Sequence, residues 1–217
     1  MKRLHRPDLY GWSRFDEDRD LDFHSVLWTR EGGNVIVDPL PLDRHDRKHL
    51  TKLGGVAMIV VTNADHARVG EALAIETGAA LIAGALEEDA LGFECDRYVV
   101  DDEEIVPGLR ALAMRGSKTP GELALLLGDH TLITGDLIRA HAGGQLDLLP
   151  DARLTDRAAA LGSLRRLAAL PQVDAVLVGD GWPVFRDGRA RLQELLDRAT
   201  AAPSPLPITP PKPGASC

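Results

Sequence analysis

The sequence predicts a mixed α/β or α+β layered fold, on three observations. Two β-rich runs, HSVLWT (24–29) and NVIVDPL (34–40), flank a Glu-Gly-Gly turn, which is the pattern of a hairpin. Strand-like and helix-like stretches then alternate to the end of the chain, as in layered folds built on a sheet. Polar clusters rich in Gly and Asp fall where the strand-like runs stop, and loops at strand ends are where sites are built.

The elements follow in order. DRHDRKHLTKLGG (43–55) reads as a charged surface helix stopped by glycines. VAMIVVT (56–62) is a continuous apolar run, the signature of a strand covered on both faces. After a polar break at NADHAR comes a helix, VGEALAIETG, ended by Gly78. ALIAG (80–84) and RYVVD (97–101) are short strands on either side of an acidic connector. LRALAMR (109–115) and ELALLLG (122–128) are strands joined by GSKTPG, and Asp129-His130 turns the chain into TLITGD (131–136). TDRAAALGSLRRLAAL (155–170) and DGRARLQELLDRATAA (187–202) have helical apolar spacing and bracket a buried strand, DAVLVGDG (174–181). Residues 1–202 are expected to form one domain, with a disordered Pro-rich tail over 203–217.

Composition bounds the function. The 217 residues give one sizeable core, 44% hydrophobic and 27% charged, ordinary for a globular domain. The net charge of −8 and the scattering of Lys and Arg among acids argue against nucleic acid as a partner. Only two cysteines occur, Cys95 and Cys217, so a disulfide framework is not expected and a cytoplasmic setting is the default. No apolar run is long enough for a membrane span, and the charged N-terminus lacks a signal-peptide core. There is no nucleophile elbow and no dinucleotide-binding glycine fingerprint. Lys118 lies in a Gly-Ser-Lys-Thr run, but a serine precedes it and Pro-Gly leads into a strand rather than a helix, so it is not a phosphate loop.

Taken in order and spacing, the strand-end clusters over roughly residues 20–190 resemble the metallo-β-lactamase superfamily. The strand running into Asp38 matches an early family strand that ends in aspartate. Thr62 and Asn63-Ala64-Asp65-His66 stand where the family has a strand ending in Thr and an HxHxDH loop. Gly116-Ser117-Lys118-Thr119-Pro120-Gly121 stands for a GHTPG-like turn, Thr134-Gly135-Asp136 for a TGD turn, and Gly179-Asp180-Gly181 for a GHG turn. The resemblance implies a four-layer αβ/βα sandwich and metal-dependent hydrolysis.

The departures from the pattern decide which chemistry is expected. Several metal-binding histidines of the family are replaced, one of them by Lys118. With a two-residue deletion in the loop, Asp65-His66 falls on the motif's last pair and Asn63 on its first histidine. Without a deletion, Asn63, Asp65 and Arg68 replace histidines. The first register retains one metal position, with Asp65, His66, Asp136 and Asp180 as ligands, suited to zinc, manganese or iron. A protonated lysine offers no lone pair, but it supplies the positive charge a second ion would have supplied. Lys118, Asp65 and Arg68 are then the catalytic candidates, and Asn63, Arg139, His141 and Trp182 the binding candidates.

Each candidate also has a purely structural reading. Asp65 suits a helix N-cap, Asp136 and Asp180 suit turns, Arg68 suits a local ion pair, and Trp182 suits packing over the core edge. Three functional expectations follow. One is a hydrolase acting on an ester, thioester, lactone or phosphoester with at most one metal ion. The second is a metal-free pseudoenzyme of the same fold that binds a small ligand or a protein. The third is an oligomeric module with a vestigial cleft. A homo-oligomer is compatible with all three.

Overall fold

The computed structural model describes residues 1–201; the expected disordered tail lies outside them. The chain opens with β1 (Lys2–Arg3), β2 (Leu9–Asp16), β3 (Leu21–Trp28) and β4 (Val35–Val37), an antiparallel meander. Helix α1 (Arg44–Lys52) starts at Asp43, whose carboxylate accepts from Asp46 N and so caps the first turn. β5 (Met58–Val61), α2 (Gly70–Thr77), β6 (Ala80–Gly84), α3 (Glu88–Leu91) and β7 (Arg97–Val99) follow as parallel βαβ units. Gly78 ends α2 in the left-handed conformation, as the sequence predicts. The seven strands form one sheet in chain order.

The second half builds a second sheet. β8 (Glu104–Val106), β9 (Leu109–Ala113), β10 (Leu123–Leu127) and β11 (Thr131–Thr134) pair antiparallel. A separate hairpin, β12 (Ile138–Ala142) with β13 (Gln145–Leu148), precedes α4 (Arg157–Ala168). β14 (Ala175–Val178) lies parallel to β11, and α5 (Gly188–Thr200) closes the described chain. β1, β2, β8 and the β12–β13 hairpin are additions to the sequence reading.

Side-chain alternation explains the layering. Val35 and Val37 of β4 face the second sheet and pack with Leu109, Leu123, Leu125 and Leu127. Ile36 faces the other way, onto Leu50 of α1 and Leu73 of α2. On the second sheet, Leu112, Leu126, Leu132 and Val176 face outward onto Leu164 and Leu167 of α4 and Leu192 and Leu195 of α5. The order is helices, sheet, sheet, helices, which is the four-layer αβ/βα sandwich. β10 is buried along its whole length because both its faces are covered. Each fully buried Leu contributes about 1.5–3 kcal/mol.

This topology places the site. β4 and β5 are parallel, as are β11 and β14, so each pair ends at one edge of its sheet. Asp38, Asn63–His66, Asp136 and Asp180 all follow these four strands.

Candidate metal centre and cleft

Asn63 controls the loop after β5. Its backbone is extended, and its Oδ1 accepts from His66 N at 3.0 Å, capping a single 3₁₀ turn over Ala64–His66. Glu87 braces that turn from the first sheet's next connection, accepting from Ala64 N at 2.8 Å and from Gly121 N at 2.7 Å. A 3₁₀ turn advances about 120° per residue, so neighbouring side chains diverge. His66 points inward and is buried, while Asp65 is exposed.

His66 is held at both ends. Its Nδ1 lies 2.8 Å from Asp38 Oδ2. The same carboxylate accepts from Thr62 N at 2.7 Å and from Thr62 Oγ1 at 2.6 Å. Its Nε2 faces two carboxylates, 3.7 Å from Asp136 Oδ1 and 3.6 Å from Asp180 Oδ1. The glycines beside the aspartates make this approach feasible. A Cβ on Gly179 would lie 2.5 Å from His66 Cε1, and one on Gly135 would lie 2.8 Å from Asn63 Nδ2. Burial alone disfavours an imidazolium, but the Asp38 charge and the contacts with Asp180 and Asp38 outweigh it and push His66 up to about 10. Burial likewise opposes ionisation of Asp180, yet His66 and Arg139 hold its carboxyl well below the usual carboxylate range.

Lys118 comes from the β9–β10 connection. Its Nζ lies 2.8 Å from Asp136 Oδ2 and 2.5 Å from Asp65 Oδ2. Burial would lower its affinity for the proton, but Asp136 and Asp65 raise it, so the side chain is an ammonium. Arg139 on β12 donates through Nη2 to Asp180 Oδ2. Arg68 has a left-handed backbone, φ 46°, which turns its side chain back over the sheet edge. Its Nη1 donates to His24 O at 2.7 Å and Asp38 O at 3.0 Å, leaving Nη2 3.9 Å from Asp180 Oδ1.

These groups line a cleft of about 360 Å³. Of the residues singled out from sequence, it brings together Asp65, His66, Arg68, Lys118, Asp136, Arg139 and Asp180. Three are placed elsewhere. Asn63 is fully buried beneath the cleft as a cap, not at its surface. His141 is exposed although it lies two residues from Arg139, because the β12–β13 register shifts between Arg139 and Ala142 and turns it outward. Trp182 is 61% exposed and borders a separate cavity of about 470 Å³ with Trp12 and Phe185. Asp65, expected as a fourth ligand, pairs with Lys118. Ligand atoms of His66, Asp136 and Asp180 lie within 4.8 Å of one another, which makes these three the candidate metal set.

Sequence reasoning passed over Glu122. Its Oε1 accepts from Leu137 N at 2.8 Å and its Oε2 from Ser117 Oγ, which ties the Lys118 turn to the Asp136 turn. Burial, then the Asp136 charge, push it up to about 7. The signal was one carboxylate opening the otherwise apolar run ELALLLG. Arg19 and Arg153 at the lip of the cleft were also passed over. Among the described residues no helix is long and apolar enough to cross a membrane.

Comparison with known proteins agrees with this layout. No curated protein matches the sequence. Among solved structures, DIM-1 metallo-beta-lactamase superposes with a TM-score of 0.72 at 13% identity, covering 92% of this chain and 97% of its own. A metallo-beta-lactamase from Pontibacter korlensis gives 0.69 at 15% identity, over 88% and 96%. One from Erythrobacter litoralis, with beta mercaptoethanol in its active site, gives 0.70 at 17%, over 89% and 94%. At such identities the likeness shows the fold. The family described as Metallo-beta-lactamase superfamily matches residues 1–199. Sequence order of the strand-end turns, four-layer architecture and family match coincide, and the chain belongs to the metallo-β-lactamase superfamily.

Proposed function

We propose that the protein is a hydrolase that uses at most one divalent ion, held by His66, Asp136 and Asp180, with Lys118 standing in for the second cation of the fold. The observation that carries this is the orientation of His66. One ring nitrogen is fixed by the buried Asp38 carboxylate and the other is aimed between two aspartate oxygens. Carboxylate-backed imidazoles of this kind are typical of metal ligands. Asp180 Oδ1 is buried without a hydrogen-bond partner, which fits an oxygen reserved for a cation. One imidazole and two carboxylates suit zinc, manganese or iron.

An ion bound there supplies Lewis acidity and lowers the pKa of water. The chain supplies the rest. Lys118 and Arg68 line the cleft, where their positive charges stabilise negative charge developing on the carbonyl or phosphoryl oxygen of an ester, thioester, lactone or phosphoester. Lys118 holds Asp136 by its Oδ2, which leaves Oδ1 turned toward His66 and the proposed ion. Arg139 holds Asp180 in one rotamer by pairing with its other oxygen.

A metal-free reading is favoured by one observation. Each cleft carboxylate already has a cationic partner: Asp65 and Asp136 share Lys118, and Asp180 has Arg139. An imidazolium at His66 completes the neutralisation, and metal binding would have to displace that proton. Such a protein would be a ligand- or partner-binding member of the fold. Metal content after purification without chelator separates the two. The hydrolase reading expects close to one ion per chain, esterase or phosphoesterase activity lost on chelation, and recovery with one divalent ion. No bound ion and no recovery would sink it.

Lys118→Met gives a second check. It leaves the buried Asp136 without its ammonium, so a loss of about 2 kcal/mol is expected in urea unfolding. If the variant unfolds like the parent, Lys118 is not the internal counter-ion.

A further inference from the structure

We propose that the lip of the cleft is a phosphate-binding subsite, so that the substrate carries a phosphate group beside the reacting centre. This deepens the hydrolase reading and rests on it for the identification of the ligand as a substrate.

Five arginine and lysine side chains line the cleft against three aspartates, on a chain whose net charge is −8. The acids are already engaged by Lys118 and Arg139. Arg19 and Arg153 meet no carboxylate within 4 Å among the described residues, yet both line the cleft. Deeper in, Arg139 is 9% exposed and its Nε has no hydrogen-bond partner, and the same holds for Nη2 of Arg68. Buried guanidinium nitrogens without acceptors are destabilising unless a ligand completes them.

The arginines are arranged as well as numerous. The guanidinium carbons of Arg19 and Arg68 each lie 5.5 Å from the centroid of the Phe23 ring. One ring therefore orients two like charges, a contact that limits their rotamers before any ligand arrives. Arg19 comes from the β2–β3 turn, Arg68 from the loop after β5, Arg139 from β12 and Arg153 from the 3₁₀ turn before α4. A carboxylate presents its lone pairs in one plane and carries one charge. A phosphate monoester presents three oxygens in three directions and carries nearly two charges, which matches donors converging from four elements.

The test is calorimetric titration with inorganic phosphate at low ionic strength, on the full chain as purified and after chelation, with acetate as the comparison anion. Phosphate is expected to bind at least about tenfold more tightly than acetate, and the Arg19→Gln/Arg153→Gln pair to weaken it by about tenfold or more. Both arginines are exposed, so the double variant is expected to melt with the parent, and its melting curve checks this. Phosphate binding no better than acetate, or unchanged in the double variant, overturns the subsite. Titration of the chelated protein needs no activity, so failure of the hydrolase reading in the metal assay is distinguishable from failure here.

Discussion

Asp38→Ala is expected to destabilise the fold by about 3–5 kcal/mol, the range for breaking a buried charge pair from one side. Asp38 is 2% exposed and accepts from Thr62 N, Thr62 Oγ1 and His66 Nδ1. Alanine strands all three donors and leaves a buried imidazole with nothing to orient it. The backbone there is left-handed, φ 49°, which asparagine tolerates better than alanine. Asp38→Asn is therefore expected to lose less stability. It should nevertheless weaken divalent-ion affinity about 10–100-fold, because the ring of His66 is no longer held by a charge. Urea unfolding and metal titration of the two variants check this. A loss under about 1 kcal/mol for Asp38→Ala would show that the carboxylate is not the anchor of the site.

Glu122 is expected to make the chelated protein lose stability as pH rises from 4.5 to about 7. Its folded value lies above its ordinary 4.5, so the folded state holds the proton more tightly. Below 4.5 both states carry the proton and the contribution is whole; as pH passes 7 it is lost. The amplitude is on the order of 3 kcal/mol. Glu122→Gln keeps an acceptor for Leu137 N and a partner for Ser117, whose hydroxyl can rotate. The variant should lack this slope, and the difference between its profile and the parent's removes the other titrating groups. Identical profiles would mean that Glu122 titrates as it does in the unfolded chain. His66 acts in the same direction at higher pH, its contribution being whole below 6.5 and lost as pH rises through about 10.

Elements covered on both faces were legible in the sequence because they leave continuous apolar runs, as in ELALLLG and DAVLVGDG. Helix ends were legible from Asp43 and Gly78, whose side-chain chemistry and backbone freedom do local work. β2 was not, because only Leu9 and Trp12 of its eight residues are buried and Arg14 and Asp16 interrupt the pattern. The β12–β13 hairpin was hidden by the irregular register that separates Arg139 from His141. In the site, His66, Lys118, Asp136 and Asp180 were readable as strand-end residues. The outward swing of Asp65 was not, since it depends on the rotation of one 3₁₀ turn. Arg19 and Arg153 carry no motif; only folding brings them to the same lip.

The turn bearing Asp180 is sewn to β3 of the other sheet, with His24 N donating to Gly179 O and Gly181 N to Asp22 O, both at 2.8 Å. It is held on its far side by Ala140 N and Ala140 O. The two sheets are thus riveted together at the floor of the cleft, and hinge opening there would have to tear main-chain bonds. Any change in the width of the mouth is then left to its exposed side chains, Arg19 and Arg153 among them, rather than to movement of one sheet against the other.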